Sequence, residues 1–88
     1  MKKNKKIIIA NIKMNGSLCF NEIYLKKIKQ NFNNFINLDI CLCLPYPYLF
    51  QAQNFLEDTK ISWGSQNVAK FESGPYTGEV SASMLKDF

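Results

Sequence analysis

The order of segments in this chain predicts an α/β fold built on a parallel sheet. Three observations carry that reading. Ile7, Ile8 and Ile9, and later residues 38–44 apart from Asp39, form apolar runs, the pattern of strands covered on both faces. Between them, apolar residues recur at spacings of three and four, the period of a helix. Strand-type and helix-type segments then alternate to residue 64, as expected of βα units joined by right-handed crossovers.

The first strand is expected over about residues 6–11. A buried strand carries polar residues at its carboxyl end, where parallel sheets hold their ligands. Asn11 and Lys13 lie two apart there, so on an extended backbone they point to one side. Asn15-Gly16 signals a turn. Taken alone, this pattern also describes any strand leaving a core. Ser17 is placed to cap a helix over about 18–36. Its apolar side holds Tyr24, Leu25, Ile28, Phe32, Phe35 and Ile36, and its solvated side is rich in Lys and Asn. Asn37 ends that helix, and the second strand, about 38–44, is apolar apart from Asp39 and one residue type, cysteine, of mixed character.

Pro45-Tyr46-Pro47 breaks the second strand, and Pro47 suits the first turn of a helix over about 48–57. Leu49, Ala52, Gln53 and Leu56 form its stripe. Asp58-Thr59 turns the chain into a third strand, about 60–64. Residues 65–80 carry Gly74, Pro75 and Gly78 and no periodicity. Loops of that length in compact domains are functional or disordered, and Gln66, Asn67, Phe71 and Tyr76 argue for function. Ser81 caps a last helix over 82–88 that lacks a stop signal, so the chain is expected to end inside an element.

Composition narrows the partners. The 88 residues are 47% apolar with mixed charge, a globular composition for one small domain. All 11 basic residues are Lys, with Lys2, Lys3, Lys5 and Lys6 crowding the start. Such an arm can touch nucleic acid or an anionic membrane, but the absence of Arg removes the usual bidentate reader of bases and phosphates. We therefore expect a solvated terminus, with no nucleic-acid and no membrane partner. The abundance of Lys, Asn and Ile, whose codons are AT-rich, points to a biased genome. Cys19, Cys41 and Cys43 form no C-x-x-C, and the 0 His leave them no co-ligand, so no metal is expected. Cys41 and Cys43 are expected to be core thiols of a reduced, cytoplasmic protein. The lysines before Ile7 imitate a signal peptide, but Asn11 and Lys13 interrupt the apolar segment too early.

Two stretches reinforce one another: Ala10-Asn11-Ile12-Lys13-Met14-Asn15-Gly16, and Trp63-Gly64-Ser65-Gln66-Asn67-Val68 continuing through Glu72-Ser73-Gly74-Pro75-Tyr76-Thr77-Gly78-Glu79-Val80. Together with Pro45-Tyr46-Pro47-Tyr48-Leu49, they closely resemble the N-terminal third of the triose-phosphate isomerase family, in register over nearly the whole chain. The resemblance implies the first three βα units of a TIM (β/α)8 barrel, incomplete, with the site at the carboxyl ends of the strands. It implies an enzyme family that interconverts dihydroxyacetone phosphate and D-glyceraldehyde 3-phosphate through an enediolate, in glycolysis and gluconeogenesis, without cofactor. Asn11 and Lys13 would bind the phosphorylated triose. Lys13 would stabilise charge as a group already in place, since a lysine ammonium is a poor general base at neutral pH.

The resemblance further implies a homodimer in which the loop of about 65–80 reaches a groove of a partner subunit. Thr77 would lie near the partner's site, Glu79 would pair with a partner arginine, and Met14 would join the interface. Ile12 stands where the family has Trp, and Pro75 where it has a small residue. The family's electrophilic His and Glu base come from later strands, and this chain has 0 His; Glu72 and Glu79 belong to the interface loop by their motif. An N-terminal fragment of this kind is expected to be catalytically dead, with two unpaired sheet edges and either poor solubility or a loosely packed state. Two other readings compete. One is a non-catalytic α/β interaction module, either a truncated gene product or a small domain that pairs through its loop, or else the product of a decaying gene. The other is binding of generic nucleic acid by the lysine arm.

Overall fold

A computed structural model describes residues 5–88, so Lys2 and Lys3 of the basic arm lie outside the described residues. Three parallel strands stand in the order β1-β2-β3: β1 (Lys6–Asn11), β2 (Leu38–Leu44) and β3 (Ser62–Ser65). The α1 helix (Leu18–Phe32) links the first pair. A 3-10 turn (Tyr46–Tyr48) and the α2 helix (Leu49–Leu56) link the second. After the long loop comes the single turn α3 (Ala82–Leu85). This is the expected α/β arrangement, an unclosed portion of a (β/α) barrel. Among the described residues no helix is long and apolar enough to cross a membrane.

One face of the sheet makes the core. Ile40, Leu42 and Leu44 alternate along β2 beneath Leu25 of α1 and Leu49, Ala52 and Leu56 of α2, with Ile61 closing the end. The same alternation turns Asp39, Cys41 and Cys43 to the opposite face, which carries no helix. The two cysteines are therefore half-buried on an open face and are not core thiols. Ile7, Ile8 and Ile9 are 65%, 51% and 64% exposed, against the expectation of burial on both faces. Among the described residues β1 pairs only with β2, which leaves its outer edge unpaired there.

Element ends differ from expectation for local reasons. The Ser17 hydroxyl caps α1 by accepting from the Phe20 amide at 3.0 Å. α1 stops at Phe32 because Asn33 turns its side chain to another task, accepting from the Lys60 amide at 3.0 Å. Phe35 and Ile36 thus fall outside the helix and are exposed. β3 begins two residues late because the Thr59 hydroxyl accepts from the Ile61 amide at 3.0 Å and donates to the Leu56 carbonyl at 2.7 Å, forming a local turn before the ladder. Lys29 pairs with Asp58 at 3.1 Å, tying α1 to the same turn.

Asn21 on α1 is an unexpected buried polar residue beside the core, 1% exposed, with its amide nitrogen lacking a partner among the described residues. It packs against the backbone of Gly16, where a Cβ would stand 2.6 Å from the Asn21 side-chain oxygen; Gly16 also has φ of +108°. A side chain at Gly16 is excluded on both counts.

Replacing Leu42 by Ala is expected to cost about 3 kcal/mol in urea unfolding through the cavity it leaves, whereas Ile36→Ala should stay within about 0.5 kcal/mol. Asn21→Leu should raise the urea midpoint by removing an unsatisfied buried donor. Lys29, by hydrogen bond and charge, holds the Asp58 carboxyl below its usual range. A carboxyl lowered by folding contributes stability above its unfolded pKa and loses it as pH falls through the folded value; here the contribution is small because the pair is exposed. Lys29→Met should return Asp58 to the ordinary carboxylate range in an NMR titration, and an unmoved titration would exclude the pair as the cause.

Candidate functional site

The carboxyl edge of the sheet gathers Asn11, Lys13 and Gln66 from the ends of β1 and β3. Asn11 is the last residue of β1, paired in register with Cys43. Its side-chain oxygen accepts the Lys13 amide at 2.9 Å, an Asx turn that bends the chain as it leaves the sheet. Lys13 has φ of +61°, the left-handed region that residues other than glycine rarely occupy. The extended geometry expected between Asn11 and Lys13 is therefore replaced by a tight turn. The cause is physical: the Asn11 oxygen stabilises the turned amide and the sheet fixes Asn11. Strain of this kind, about 1–3 kcal/mol, persists only where neighbours hold it.

Gln66 is the residue that sequence reasoning placed only in the loop. Its side-chain amide donates to the Lys13 carbonyl at 3.0 Å and to the Cys43 carbonyl at 3.2 Å. The Lys13 peptide is thus gripped at its nitrogen by Asn11 and at its carbonyl by Gln66. This leaves the Asn11 side-chain nitrogen and the exposed Lys13 ammonium as donors at the mouth of the sheet. An amide donor beside a cation whose backbone is held suits an anionic, oxygen-rich ligand. The sequence signals for such a role were its place in the motif of residues 63–68 and among the polar residues that mark the loop as functional.

The turn is braced further out. The Asn15 side chain donates to the Ile12 carbonyl at 2.8 Å, the Tyr48 hydroxyl to the Gly16 carbonyl at 3.3 Å, and the Gln51 side chain to the Leu18 carbonyl at 2.8 Å. Beside the turn, a groove of about 380 Å³ is lined by Met14, Asn15, Gly16, Pro45, Pro47 and Tyr48. Met14 is 96% exposed.

The loop of 65–80 is ordered by its own contacts. The Ala69 amide donates to the Val80 carbonyl at 2.8 Å across its base, and the Phe71 and Tyr76 rings stack at 4.5 Å. The Tyr46 hydroxyl and the Ser65 hydroxyl both donate to the Asn67 carbonyl, at 2.9 and 2.8 Å. Thr77 and Glu79 are exposed on this loop, and the Glu79 amide donates to the Tyr76 carbonyl at 3.3 Å. Asn11, Lys13 and Met14 are thus brought together on one turn, while Thr77 and Glu79 stand on a separate, preformed projection. Among the described residues there is no group of three or more His, Cys, Asp or Glu side chains able to hold a metal ion.

A family model described as triosephosphate isomerase matches residues 6–88. Curated proteins named triosephosphate isomerase are similar throughout. The one from Herminiimonas arsenicoxydans is 45% identical over 84 residues, covering 96% of this chain and 34% of the relative. Those from Nitrosomonas eutropha and Dechloromonas aromatica are 44% and 43% identical, covering 92% and 96% of this chain but 32% and 33% of the relatives. The chain spans about a third of the length of the curated relatives it matches.

The strain at Lys13 has a measurable signature. Lys13→Gly should stabilise the fold by up to about 1 kcal/mol in urea, because glycine occupies positive φ without steric cost. A loss of stability instead would mean that Lys13 side-chain contacts outweigh the backbone strain.

Proposed function

This chain belongs to the triosephosphate isomerase family, and from that premise we propose that it supplies the electrophilic part of an active site that interconverts dihydroxyacetone phosphate and D-glyceraldehyde 3-phosphate. The observation that carries the reading is the gripped, left-handed Lys13 at the carboxyl edge of a parallel sheet. A peptide held at both ends places the ammonium stem without reorganisation when charge develops on the substrate, which is how fixed electrostatics lower a barrier. Lys13 attracts the phosphate and the enediolate oxygen, and the Asn11 amide donates beside it. No cofactor enters this scheme.

Proton abstraction needs a base aimed at the substrate carbon, and the family's Glu base and His electrophile would come from strands beyond β3. The 88 residues contain 0 His, so no imidazole is available here to polarise a carbonyl. The chain by itself would bind weakly and turn over nothing.

The same reading assigns the loop of 65–80 to a homodimer. The self-fastened loop, with Thr77 and Glu79 exposed, would enter the groove lined by Met14, Asn15, Gly16, Pro45, Pro47 and Tyr48 on a second subunit. Preorganisation supports this, because a loop already stacked and bonded loses little entropy on docking. The family's place in central carbon metabolism makes a cytoplasmic location the natural one.

A coupled isomerase assay tests the proposal. The 88-residue chain is expected to show no turnover above buffer; turnover would overturn the division of labour. In a protein that carries both this segment and active isomerase chemistry, Lys13→Ala should lower kcat/KM by about a hundredfold or more. An unchanged kcat/KM would remove Lys13 from the site.

A further inference from the structure

Behind the Lys13 turn stands a buried polar side chain to which the isomerase reading gives no task. Asn21 is 1% exposed, and its side-chain nitrogen lacks a partner among the described residues. That burial is complete within these residues, so it does not depend on what a longer chain would pack nearby. An unpaired amide donor in the interior costs stability. Asn21 also sits four residues before Leu25, on the side of α1 where helix periodicity calls for an apolar residue. Places where a sequence breaks the packing rules without a local gain are expected to serve function, at the expense of stability.

The contacts of the amide show what it holds. Its oxygen, carbon and nitrogen lie 2.6, 3.4 and 3.5 Å from the point that a Cβ on Gly16 would take, so the amide fills the space a side chain there would use. Gly16 is also fixed at its carbonyl, which accepts from the Tyr48 hydroxyl at 3.3 Å. The helix start that carries Asn21 is itself anchored. The Asn21 backbone amide donates to the Ser17 carbonyl at 2.8 Å, and the Gln51 side chain of α2 donates to the Leu18 carbonyl at 2.8 Å. The segment from Lys13 to Gly16 is thus held at its start by Asn11 and Gln66 and at its end by Asn21 and Tyr48. Between those ends Asn15 is bonded back to the Ile12 carbonyl, and Met14 is 96% exposed.

We propose that Asn21 is a positioning residue for Lys13: its amide sets Gly16 at the far end of the turn, and through the turn the direction in which the Lys13 ammonium leaves the sheet. This rests on the isomerase reading. An oxygen suits the close approach to Gly16. A leucine methyl in its place is bulkier, since carbon atoms rest about 3.5–4.0 Å apart. Asn21→Leu would therefore remove the orphaned donor and at the same time displace Gly16. Misalignment of a group that meets developing charge weakens transition-state binding more than substrate binding, so the loss falls on kcat more than on KM.

A double-mutant cycle tests this, in a protein that carries both this segment and active isomerase chemistry. Asn21→Leu is expected to lower kcat/KM about tenfold, chiefly in kcat, while the urea midpoint rises. In a Lys13→Ala background the same change should have no further effect, because the residue it acts through is gone. Asn21→Ala empties the space beside Gly16 instead of overfilling it, and should lower kcat/KM likewise if the leucine variant fails to fold. Ile28→Ala, two turns further along α1, should lower the urea midpoint and leave kcat/KM unchanged. The proposal is overturned if either folded Asn21 variant keeps the wild-type kcat/KM, if the loss is the same without Lys13, or if Ile28→Ala loses as much. Full activity in Lys13→Ala alone would remove the isomerase reading itself, and the proposal with it. A drop in Lys13→Ala beside an unaffected Asn21→Leu would remove the proposal only.

Discussion

The carbonyl oxygen of Cys43 is where the three βα units of this chain meet. It accepts the Ile12 amide at 3.0 Å, the last bond between β1 and β2, and the Gln66 side-chain amide at 3.2 Å, which arrives from the end of β3. Both lone pairs of one carbonyl are thereby used, by donors from opposite sides of the central strand. Because Gln66 also holds the Lys13 carbonyl, the position of the lysine is referred to the whole sheet rather than to its own turn. A shift of β3 along β2 would move Gln66 and release Lys13. The parallel register of β2 with its neighbours is therefore a condition for the site and not only for the core.

Stability and site geometry pull in opposite directions at two places. Lys13 occupies a backbone conformation that glycine would adopt more cheaply, and Asn21 buries an amide where an apolar side chain would pack. Both flank the Met14-Asn15-Gly16 turn, Asn21 lying directly against Gly16. The helical core beneath, from Leu25 through Leu56, is conventional and fully apolar, and it supplies the stability against which such local costs are held.

Most of the architecture was legible in the sequence because it rests on local signals. The Ser17 and Ser81 caps, the Pro47 turn and the apolar run of β2 each depend on residues within one turn or strand. What could not be read depends on neighbours distant in the chain. The continuous apolar run predicted burial of Ile7, Ile8 and Ile9, whereas their exposure goes with the unpaired edge that the resemblance implied. The end of α1 was misplaced because Asn33 spends its side chain on Lys60, 27 residues away. Asn11 and Lys13 were recognised through a motif, yet their geometry was not, because spacing describes an extended chain and the Asx turn bends it. Gln66 bridges 53 residues to Lys13, a distance at which sequence pattern carries no information. The cysteines were assigned to the core from their apolar context, while alternation along β2 sets them on the other face.

The stacked Phe71 and Tyr76 rings bear on time as well as on shape. Gly74 lies between them in the chain, and a Cβ there would come within 2.7 Å of the Tyr76 ring, so the stack leaves no room for a side chain at that position. A projection held this way would meet the proposed partner surface as a rigid body. Its encounters would succeed or fail on orientation, without a search through loop conformers, so its association rate should be governed by diffusion and alignment. Loosening the stack would then slow capture first, before any contact in the bound state had changed.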